Sequence, residues 1–398
     1  MKTLTRCIFL ALSACLLFAC KGTETETVPT RRVFLMYAAA YSNLSAHIAQ
    51  DVEDLCGGII PAVGSSDVML VYAHHLSPDG SYNTPTNPVL FRVYKDLGGK
   101  QHRDTLRIYP DTDVSSSPEV LHKVLSFVKD SFPARSYGLL VSSHAKGWLP
   151  VGYKDPYQYF DIWGKSDTRC LAIESVDGSG IDIRDLADAL PMKIDFFLMD
   201  ACLMGCVEVA YELRHKCKYI VFSPTEILSN GFIYETMAAH IMNTATPDLR
   251  SICEEFFEFY NAQNGQYKAA TITLLDCSEV EKVATVCKDI ISNHREELSK
   301  ANRDDIQAYF YNNGSDTLPW FYDLRDILSI GGADDRELAD LNAALDECLL
   351  YTAATPNFFD LKLERVCGLS MYFPYPNRQE LNNYYKTLSW NKATGLIQ

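Results

Sequence analysis

The sequence predicts a three-layer α/β/α sandwich around a mainly parallel sheet, with a mainly helical C-terminal elaboration. Two observations lead to this fold class. Short runs that are apolar on both faces recur along the chain, which is typical of strands in a buried parallel sheet. Most of these runs are followed by a segment with the apolar spacing of a helix, and such alternation builds a sheet covered by helices on both sides. No linker divides the 398 residues, so we expect one large domain.

The predicted elements follow in chain order. Strands are expected at 33–37, 68–72, 89–94, 137–142, 194–199, 219–222 and 271–275, and helices at 44–55, 118–130, 203–214 and 277–292. The helix at 277–292 is expected to begin with a capping box, because Ser278 and Glu281 have the required spacing. Later residues are expected to be mainly helical and to close with a strand at 368–373. We therefore place the core at 31–300 and the C-terminal elaboration, packed on it, at 301–398.

The N-terminal segment is expected to lie outside the fold. A basic start and an apolar run at 8–18, too short to span a bilayer, are typical of a signal peptide. The run ends just before Cys20 in a sequence that resembles a bacterial lipobox. We interpret 1–19 as the signal peptide, Cys20 as a lipidated residue and 20–30 as a flexible tether. This predicts an exported lipoprotein anchored to the membrane of the bacterial cell envelope, on the periplasmic side or at the cell surface.

Composition narrows the class of protein. Thirty-six basic and fifty-one acidic residues give a net charge of −15, which argues against a general nucleic-acid binder because phosphate neutralisation needs a basic surface. Ten cysteines follow Cys20, and no pair has C-x-x-C spacing, so zinc-ribbon and thioredoxin-like sites are disfavoured. Most of these cysteines lie in apolar runs, where a free thiol packs as a small hydrophobe. We expect few disulfides or none.

The candidate chemistry lies where two predicted strands end. The strand at 137–142 runs into His144, and the strand at 194–199 runs into Cys202. Ligands bind at the carboxyl ends of strands in an open α/β sheet, so an imidazole and a thiol at this edge suit nucleophilic catalysis if the two strands are neighbours. A helix directly after Cys202 would favour the thiolate. The structural alternative is a buried thiol at Cys202 and a hydrogen-bonded loop histidine at His144.

A second pair, His74 and His75, follows the predicted strand at 68–72. It would be either a pair of metal ligands or an exposed loop. We favour the loop, because no carboxylate ligands accompany the pair, and we expect no metal site.

The residues around His144 and Cys202 form two motifs. Residues 144–148 read HAKGW and residues 200–204 read DACLM. These segments resemble the histidine motif, His-Gly-x-Gly-Trp, and the nucleophile motif, Asp-x-Cys-Leu/Met-Met, of the clostripain family of cysteine peptidases in the caspase-like clan. The resemblance extends weakly over most of the mature chain. It implies a caspase-like fold with Cys202 as the nucleophile and His144 as the general acid/base.

The resemblance also implies how a substrate is held. Backbone N–H groups of Ala145 and Cys202 would form the oxyanion hole. Asp200 matches a family aspartate of an acidic S1 pocket, which implies cleavage after Arg or Lys; its structural alternative is a helix N-cap. Glu226 is a weaker candidate for the pocket wall, with a solvated loop carboxylate as the alternative. Ala145 replaces the usual glycine, which would strain a left-handed backbone, and no second clear acid follows near Asn230.

Family members are often processed between the two motifs, after a basic residue. The segment between the motifs is long, and long exposed loops are where nicking concentrates. We therefore predict self-cleavage at Lys154, Lys165 or Arg169. The alternative is a permanently ordered lid on an enzyme that is active as one chain.

The sequence thus predicts a cysteine endopeptidase that uses a Cys-His dyad on protein or peptide substrates, anchored to the membrane by its N-terminal lipid. One alternative is a catalytically inactive, peptidase-like lipoprotein that binds peptides or glycans at the cell envelope. Another is a thiol-dependent acyl transferase. The chemistry requires no cofactor. Some family members respond to calcium, but the sequence does not indicate a calcium site, and it leaves the oligomeric state open.

Overall fold

The computed structural model describes residues 30–78, 80, 84–151, 153, 180–309 and 319–398. The strands among these residues are β1 Arg32–Ala40, β2 Asp67–His75, β3 Val89–Lys95, β4 Gln101–Ile108, β5 Ser136–Ser142, β6 Ile194–Asp200, β7 Cys217–Phe222, β8 Thr271–Asp276, β9 Tyr322–Asp323, β10 Leu349–Ala354, β11 Asn357–Phe358, β12 Leu361–Lys362 and β13 Ser370–Met371. The helices are α1 Ser45–Gly57, α2 Pro118–Ser131, α3 Ile183–Ala189, α4 Val207–Leu213, α5 Tyr234–Ile241, α6 Leu249–Asn261, α7 Val280–Asn293, α8 Arg295–Lys300, α9 Leu324–Ile330, α10 Asp335–Cys348, α11 Gln379–Tyr385 and α12 Ser389–Thr394.

The main sheet has nine strands in the order β10-β8-β7-β6-β5-β1-β2-β3-β4. Its centre, β7-β6-β5-β1-β2, is parallel, and β8 and β3 run antiparallel to the strands beside them. Every residue of β1 is buried, because this central strand is covered on both faces. The order places β1, β5 and β6 side by side, so their carboxyl ends form one continuous edge.

Helices cover both faces of this sheet. On one face α5 packs against both α1 and α6, and a second layer contains α2, α3, α4, α7, α10 and α12. The predicted three-layer α/β/α sandwich around a mainly parallel sheet is therefore confirmed. Ser117 illustrates how the sequence sets the helix ends, because its hydroxyl accepts the Val120 N–H at 3.2 Å and Pro118 occupies the first turn of α2.

The sequence analysis missed two strands of the main sheet and mistook the direction of a third. Strand β4 lies at the sheet edge and is half-exposed or exposed, so it lacks the apolar run of a buried strand. Strand β10 forms the opposite edge and directly follows α10. Strand β8 has the composition of a buried strand, but it pairs antiparallel with both β7 and β10. The composition of a strand indicates whether the strand is buried. The direction of the strand depends instead on the connection that leads to it.

The capping box predicted at Ser278 and Glu281 is wrong. Helix α7 begins at Val280, and its N-cap residue makes no side-chain capping bond. The Ser278 hydroxyl instead donates to Asp276 at 2.7 Å, and the Glu281 carboxylate accepts from Tyr211 and Arg214. Tertiary partners therefore outcompete the local cap.

The described C-terminal residues mix helices with short strands. Strand β10 extends the main sheet, and β13 pairs with β9 at the predicted position of the closing strand. No helix within the described residues has both the length and the apolarity to cross a membrane. Apart from Thr30, the segment interpreted as signal peptide and tether, including Cys20, lies outside the described residues.

Candidate active site

Adjacent strands bring His144 and Cys202 to the same edge of the sheet. Strands β5 and β6 are parallel neighbours, and Ser142 is the register partner of Asp200. His144 and Cys202 each lie two residues beyond this pair, and the Ser143 N–H donates to the Asp200 carbonyl at 3.4 Å. The condition set for the pair, that their strands are neighbours, is therefore met.

Cys202 is fully buried, and its thiol lies beside the backbone of Ile227. The Ile227 N–H donates to Sγ at 3.4 Å, and the S–H can donate to the Ile227 carbonyl at 3.8 Å. Both contacts are long, as expected for sulfur, which is a weak donor and a weak acceptor. These two contacts hold Sγ beside the Ile227 peptide groups.

The helix predicted directly after Cys202 is wrong at its start. Helix α4 begins at Val207, and the residues between form a turn. In this turn Leu203 takes a φ of 61°, which is unusual for a residue other than glycine, and its N–H donates to the Thr225 carbonyl at 2.9 Å. The Gly205 N–H donates to the Ser223 carbonyl at 2.7 Å. The helix dipole acts mainly over the first turn, so α4 does not activate this thiol.

His144 lies in the loop after β5 and is nearly buried, with 7% of its surface exposed. Its Nε2 atom lies 2.5 Å from the Asn43 Oδ1 atom in the loop after β1. The strain expected at Ala145 is absent, because Ala145 lies outside the left-handed region. Gly147 takes that conformation instead, with a φ of 56°. Replacing the usual glycine by Ala145 therefore leaves the loop backbone unstrained at this position.

The predicted oxyanion donors are the backbone N–H groups of Ala145, which directly follows His144, and of Cys202. Ala145 is fully buried, and no hydrogen-bond acceptor for its N–H is found among the described residues. An unused donor beside His144 is what an oxyanion hole requires. The loop is held from behind by Trp148, whose ring packs 4.6 Å from that of Tyr372 and 5.1 Å from that of Tyr385, measured between centroids.

Asp200 ends β6 and is fully buried. Its Oδ2 atom accepts the Tyr234 hydroxyl at 2.5 Å and the Ser142 hydroxyl at 3.3 Å. Asp200 is not a helix N-cap, since that position of α4 belongs to Cys206. The structural alternative for Asp200 is therefore wrong, and its carboxylate is held by the Tyr234 and Ser142 hydroxyls.

Glu226 is adjacent to Ile227, the residue that contacts the thiol, and only 7% of its surface is exposed. The alternative of a solvated loop carboxylate is wrong. Within the described residues its carboxylate has no hydrogen bond or ion pair, and burial raises the pKa of Glu226 to about 7. A buried acid with no hydrogen bond or ion pair among the described residues can accept a positively charged group from a ligand.

The exposed loop predicted for His74 and His75 is wrong, because both residues belong to β2. His74 is buried, and its ring nitrogens lie 2.8 Å from the Ser115 hydroxyl and 3.2 Å from the Thr86 carbonyl. Burial and the neighbouring His74 lower the pKa of His75 to about 4. Among the described residues, no group of three or more His, Cys, Asp or Glu side chains is arranged to hold a metal ion.

Lys154, Lys165 and Arg169, the predicted self-cleavage positions, lie outside the described residues. Two side chains of the site were missed by the sequence analysis: Asn43 beside His144, and Tyr234 beside Asp200. Ligands bind at the carboxyl ends of strands in an open α/β sheet, and this rule applies to β1 as well as to β5 and β6. It could therefore have indicated Asn43, which follows β1. Tyr234 carries no comparable signal, because it comes from the start of α5.

Comparison with known proteins identifies relatives of this arrangement. The profile of the clostripain family, peptidase C11, matches residues 36–394. Clostripain from Hathewaya histolytica is 26% identical over 228 residues, which are 50% of this chain and 40% of clostripain. The matched part of the chain thus spans two fifths of the length of this relative.

Two solved structures resemble the whole fold. An inactive zymogen of a C11 protease from Parabacteroides distasonis is 27% identical with a TM-score of 0.75, over 92% of this chain and 99% of that one. A secreted C11 cysteine protease from Bacteroides thetaiotaomicron, in complex with an irreversible peptide inhibitor, is 22% identical with a TM-score of 0.74, over 93% and 100% of the two chains. The similarity to the B. thetaiotaomicron protease is one of fold. Together the two structures confirm the caspase-like α/β/α architecture. The profile match covers nearly the whole described chain, and the chain therefore belongs to the clostripain family of cysteine peptidases.

Proposed function

We propose that this protein is a cysteine endopeptidase that hydrolyses peptide bonds through a Cys202-His144 dyad, after Arg or Lys. One observation supports the proposal most strongly: β5 and β6 are parallel neighbours, so His144 and Cys202 lie at the same edge of the sheet. Membership of the clostripain family supports the same chemistry.

The reaction follows from the groups at this edge. His144 takes the proton of the Cys202 thiol, and the sulfur attacks the carbonyl carbon of the scissile bond. The tetrahedral oxyanion accepts hydrogen bonds from the backbone N–H groups of Ala145 and Cys202. His144 then returns the proton to the leaving amine, which leaves a thioester on Cys202. A water molecule, deprotonated by His144, hydrolyses the thioester and restores the thiol.

Two buried carboxylates support the preference for a basic side chain. Asp200 lies two residues before Cys202, and Glu226 is the neighbour of the residue that contacts its thiol. Buried carboxylates favour a cationic partner, and a guanidinium can bind one bidentately. We therefore expect Arg to be preferred over Lys at the cleaved position.

Export and anchoring belong to the same proposal. The basic start, the apolar run at 8–18 and Cys20 support an exported lipoprotein, and the similar protein from B. thetaiotaomicron is described as secreted. Self-cleavage at Lys154, Lys165 or Arg169 stays a prediction, and the similar P. distasonis protein is described as a zymogen.

The dyad is tested by replacing each member. Cys202→Ala and His144→Ala should each abolish cleavage of a peptide with Arg at the cleaved position and leave the circular dichroism spectrum unchanged, because neither the nucleophile nor its base has a substitute. Cys367→Ala, at a half-buried cysteine, and His47→Ala, at an exposed histidine, are the matched controls and should retain activity.

A peptidyl electrophile carrying Arg distinguishes the rival functions. Covalent capture at Cys202 supports the peptidase. A folded protein whose Cys202 is inert supports the peptide- or glycan-binding alternative, and full activity in either dyad variant rejects the assignment.

A further inference from the structure

We infer that Asn43 is a positioning residue for the proposed reaction: its amide oxygen holds the proton of His144 on Nε2 and leaves Nδ1 as the base. The inference rests on the proposed function and deepens it, because a dyad specifies two reactive groups but not the group that orients the imidazole.

The topology of the sheet brings three residues to one edge. Strands β1, β5 and β6 are parallel neighbours in that order, and Ala38, Ser142 and Asp200 lie in register across them. The loops beyond these strands carry Asn43, His144 and Cys202. Asn43 thus approaches the histidine from the side opposite the cysteine strand, where an orienting group is needed.

The loop that carries Asn43 is fixed by its neighbours. The Ser42 hydroxyl accepts the Leu44 N–H at 3.2 Å, and the Ser42 carbonyl accepts the Ser45 N–H at 3.0 Å. Ser42 and Leu44 are both buried, whereas Asn43 between them is exposed. The backbone is therefore fixed on both sides of Asn43, which holds its side chain within reach of His144.

The chemistry of the contact fixes the tautomer. An amide oxygen only accepts hydrogen bonds, so with Oδ1 at 2.5 Å the Nε2 atom must carry the proton. A neutral imidazole with its proton on Nε2 has its lone pair on Nδ1, which makes Nδ1 the atom that can take the Cys202 proton. The same contact stabilises the imidazolium that forms in the reaction, since both of its nitrogens are donors. If the amide were flipped, its NH₂ would donate and the proton would lie on Nδ1.

The tautomer is measured directly by ¹⁵N NMR of the full chain labelled at histidine, with His144→Gln to assign the signal. We expect the wild type to show the Nε2–H form at neutral pH, and Asn43→Leu to lose that preference. Asn43→Asp keeps an acceptor of the same shape and should keep the Nε2–H form. It should also raise the pH at which His144 titrates by about one unit, because a carboxylate favours the imidazolium. An Nδ1–H form in the wild type, or no change in Asn43→Leu, overturns the inference.

Kinetics supply the second measurement. Asn43→Leu should lower kcat roughly 10- to 100-fold with a smaller change in KM, and Asn43→Asp should retain more of kcat at its own optimal pH. The control is Asn383→Leu, because Asn383 is also exposed and its Oδ1 accepts one side-chain hydrogen bond, from Gln379 at 2.8 Å on α11. If Asn43→Leu keeps the wild-type kcat while the dyad variants are inactive, the role of Asn43 is overturned and the proposed function stands. A wild type that neither cleaves peptides nor is labelled at Cys202 overturns the proposed function, and with it the role of Asn43.

Discussion

Two buried carboxylates, Asp200 and Glu226, lie near Cys202 or near its contact Ile227 in the chain, and their surroundings differ. The Asp200 carboxylate accepts the hydroxyls of Tyr234 and Ser142. Within the described residues, the Glu226 carboxylate accepts no hydrogen bond, so burial alone raises the pKa of Glu226 to about 7. The proposed pocket therefore contains one carboxylate that protein donors already hold and one whose charge changes near neutral pH.

We predict that Glu226→Gln removes a pH dependence of substrate preference. Below pH 7 the protonated Glu226 is neutral and attracts a guanidinium weakly, and above pH 7 the carboxylate attracts it strongly. In the wild type the ratio of kcat/KM for Arg over that for Gln at the cleaved position should rise about tenfold between pH 6 and 8. In Glu226→Gln this ratio should be low and nearly flat. The matched control Glu364→Gln, at an exposed glutamate, should follow the wild type; a wild-type profile in Glu226→Gln would exclude Glu226 from the pocket.

At the scale of elements, the site depends on two tight turns that touch each other. One follows Cys202, with Leu203 in the left-handed region, and the other follows His144, with Gly147 at a φ of 56°. A Cβ at Gly147 would lie 2.6 Å from the Leu203 carbonyl oxygen and 2.5 Å from the Phe321 ring. The loops that carry His144 and Cys202 therefore pack backbone to backbone, and glycine is required where they meet.

We predict that Gly147→Ala destabilises the fold by about 3 kcal/mol, because left-handed strain and overpacking add. Gly64 provides the control: its φ is 82°, but a Cβ there meets nothing within 4 Å. Gly64→Ala should thus cost only about 1 kcal/mol. Urea unfolding monitored by circular dichroism measures both losses. Equal losses would show that the contact with Leu203 and Phe321 contributes nothing.

At the scale of the molecule, the C-terminal residues are joined to the core by buried polar bonds as well as by the sheet. Strand β10 pairs with β8, and Glu208 of α4 accepts the Tyr372 N–H at 2.9 Å and the Tyr385 hydroxyl at 2.6 Å. Burial raises the pKa of Glu208 to about 7 even though these bonds favour its charged form. We propose that residues 301–398 fold together with the core at 31–300, not as an independent unit.

This predicts how stability depends on pH. In the unfolded chain Glu208 ionises near its ordinary pKa of 4.5, so between pH 4.5 and about 7 the folded protein binds more protons. The contribution of Glu208 to the free energy of unfolding is therefore fully present below pH 4.5 and is lost as the pH rises to about 7.

Glu208→Gln should abolish that loss. Its free energy of unfolding relative to the wild type should increase from pH 5 to pH 7.5, as measured by urea unfolding at both values. The exposed Glu364→Gln should show a difference from wild type that does not change with pH. The same pH-independent offset in Glu208→Gln would contradict the prediction.

The amino-acid sequence by itself determined the central strands and the positions of His144 and Cys202 at their ends. Strands β1, β2, β5, β6 and β7 are buried on both faces, and that burial requires apolar runs that can be read directly. His144 and Cys202 follow two of these runs, and the end of a strand in a parallel sheet is a position that a sequence specifies locally.

Tertiary structure decided what depends on neighbours far apart in the chain. The turn before α4 is held by hydrogen bonds of Leu203 and Gly205 to Thr225 and Ser223, which follow β7, and these bonds outweigh the local helical spacing. The contact of Asn43 with His144 joins residues 101 positions apart and exists because β1 lies next to β5. The order of strands in a sheet is chosen by packing and connection, so no pattern within either segment contains it.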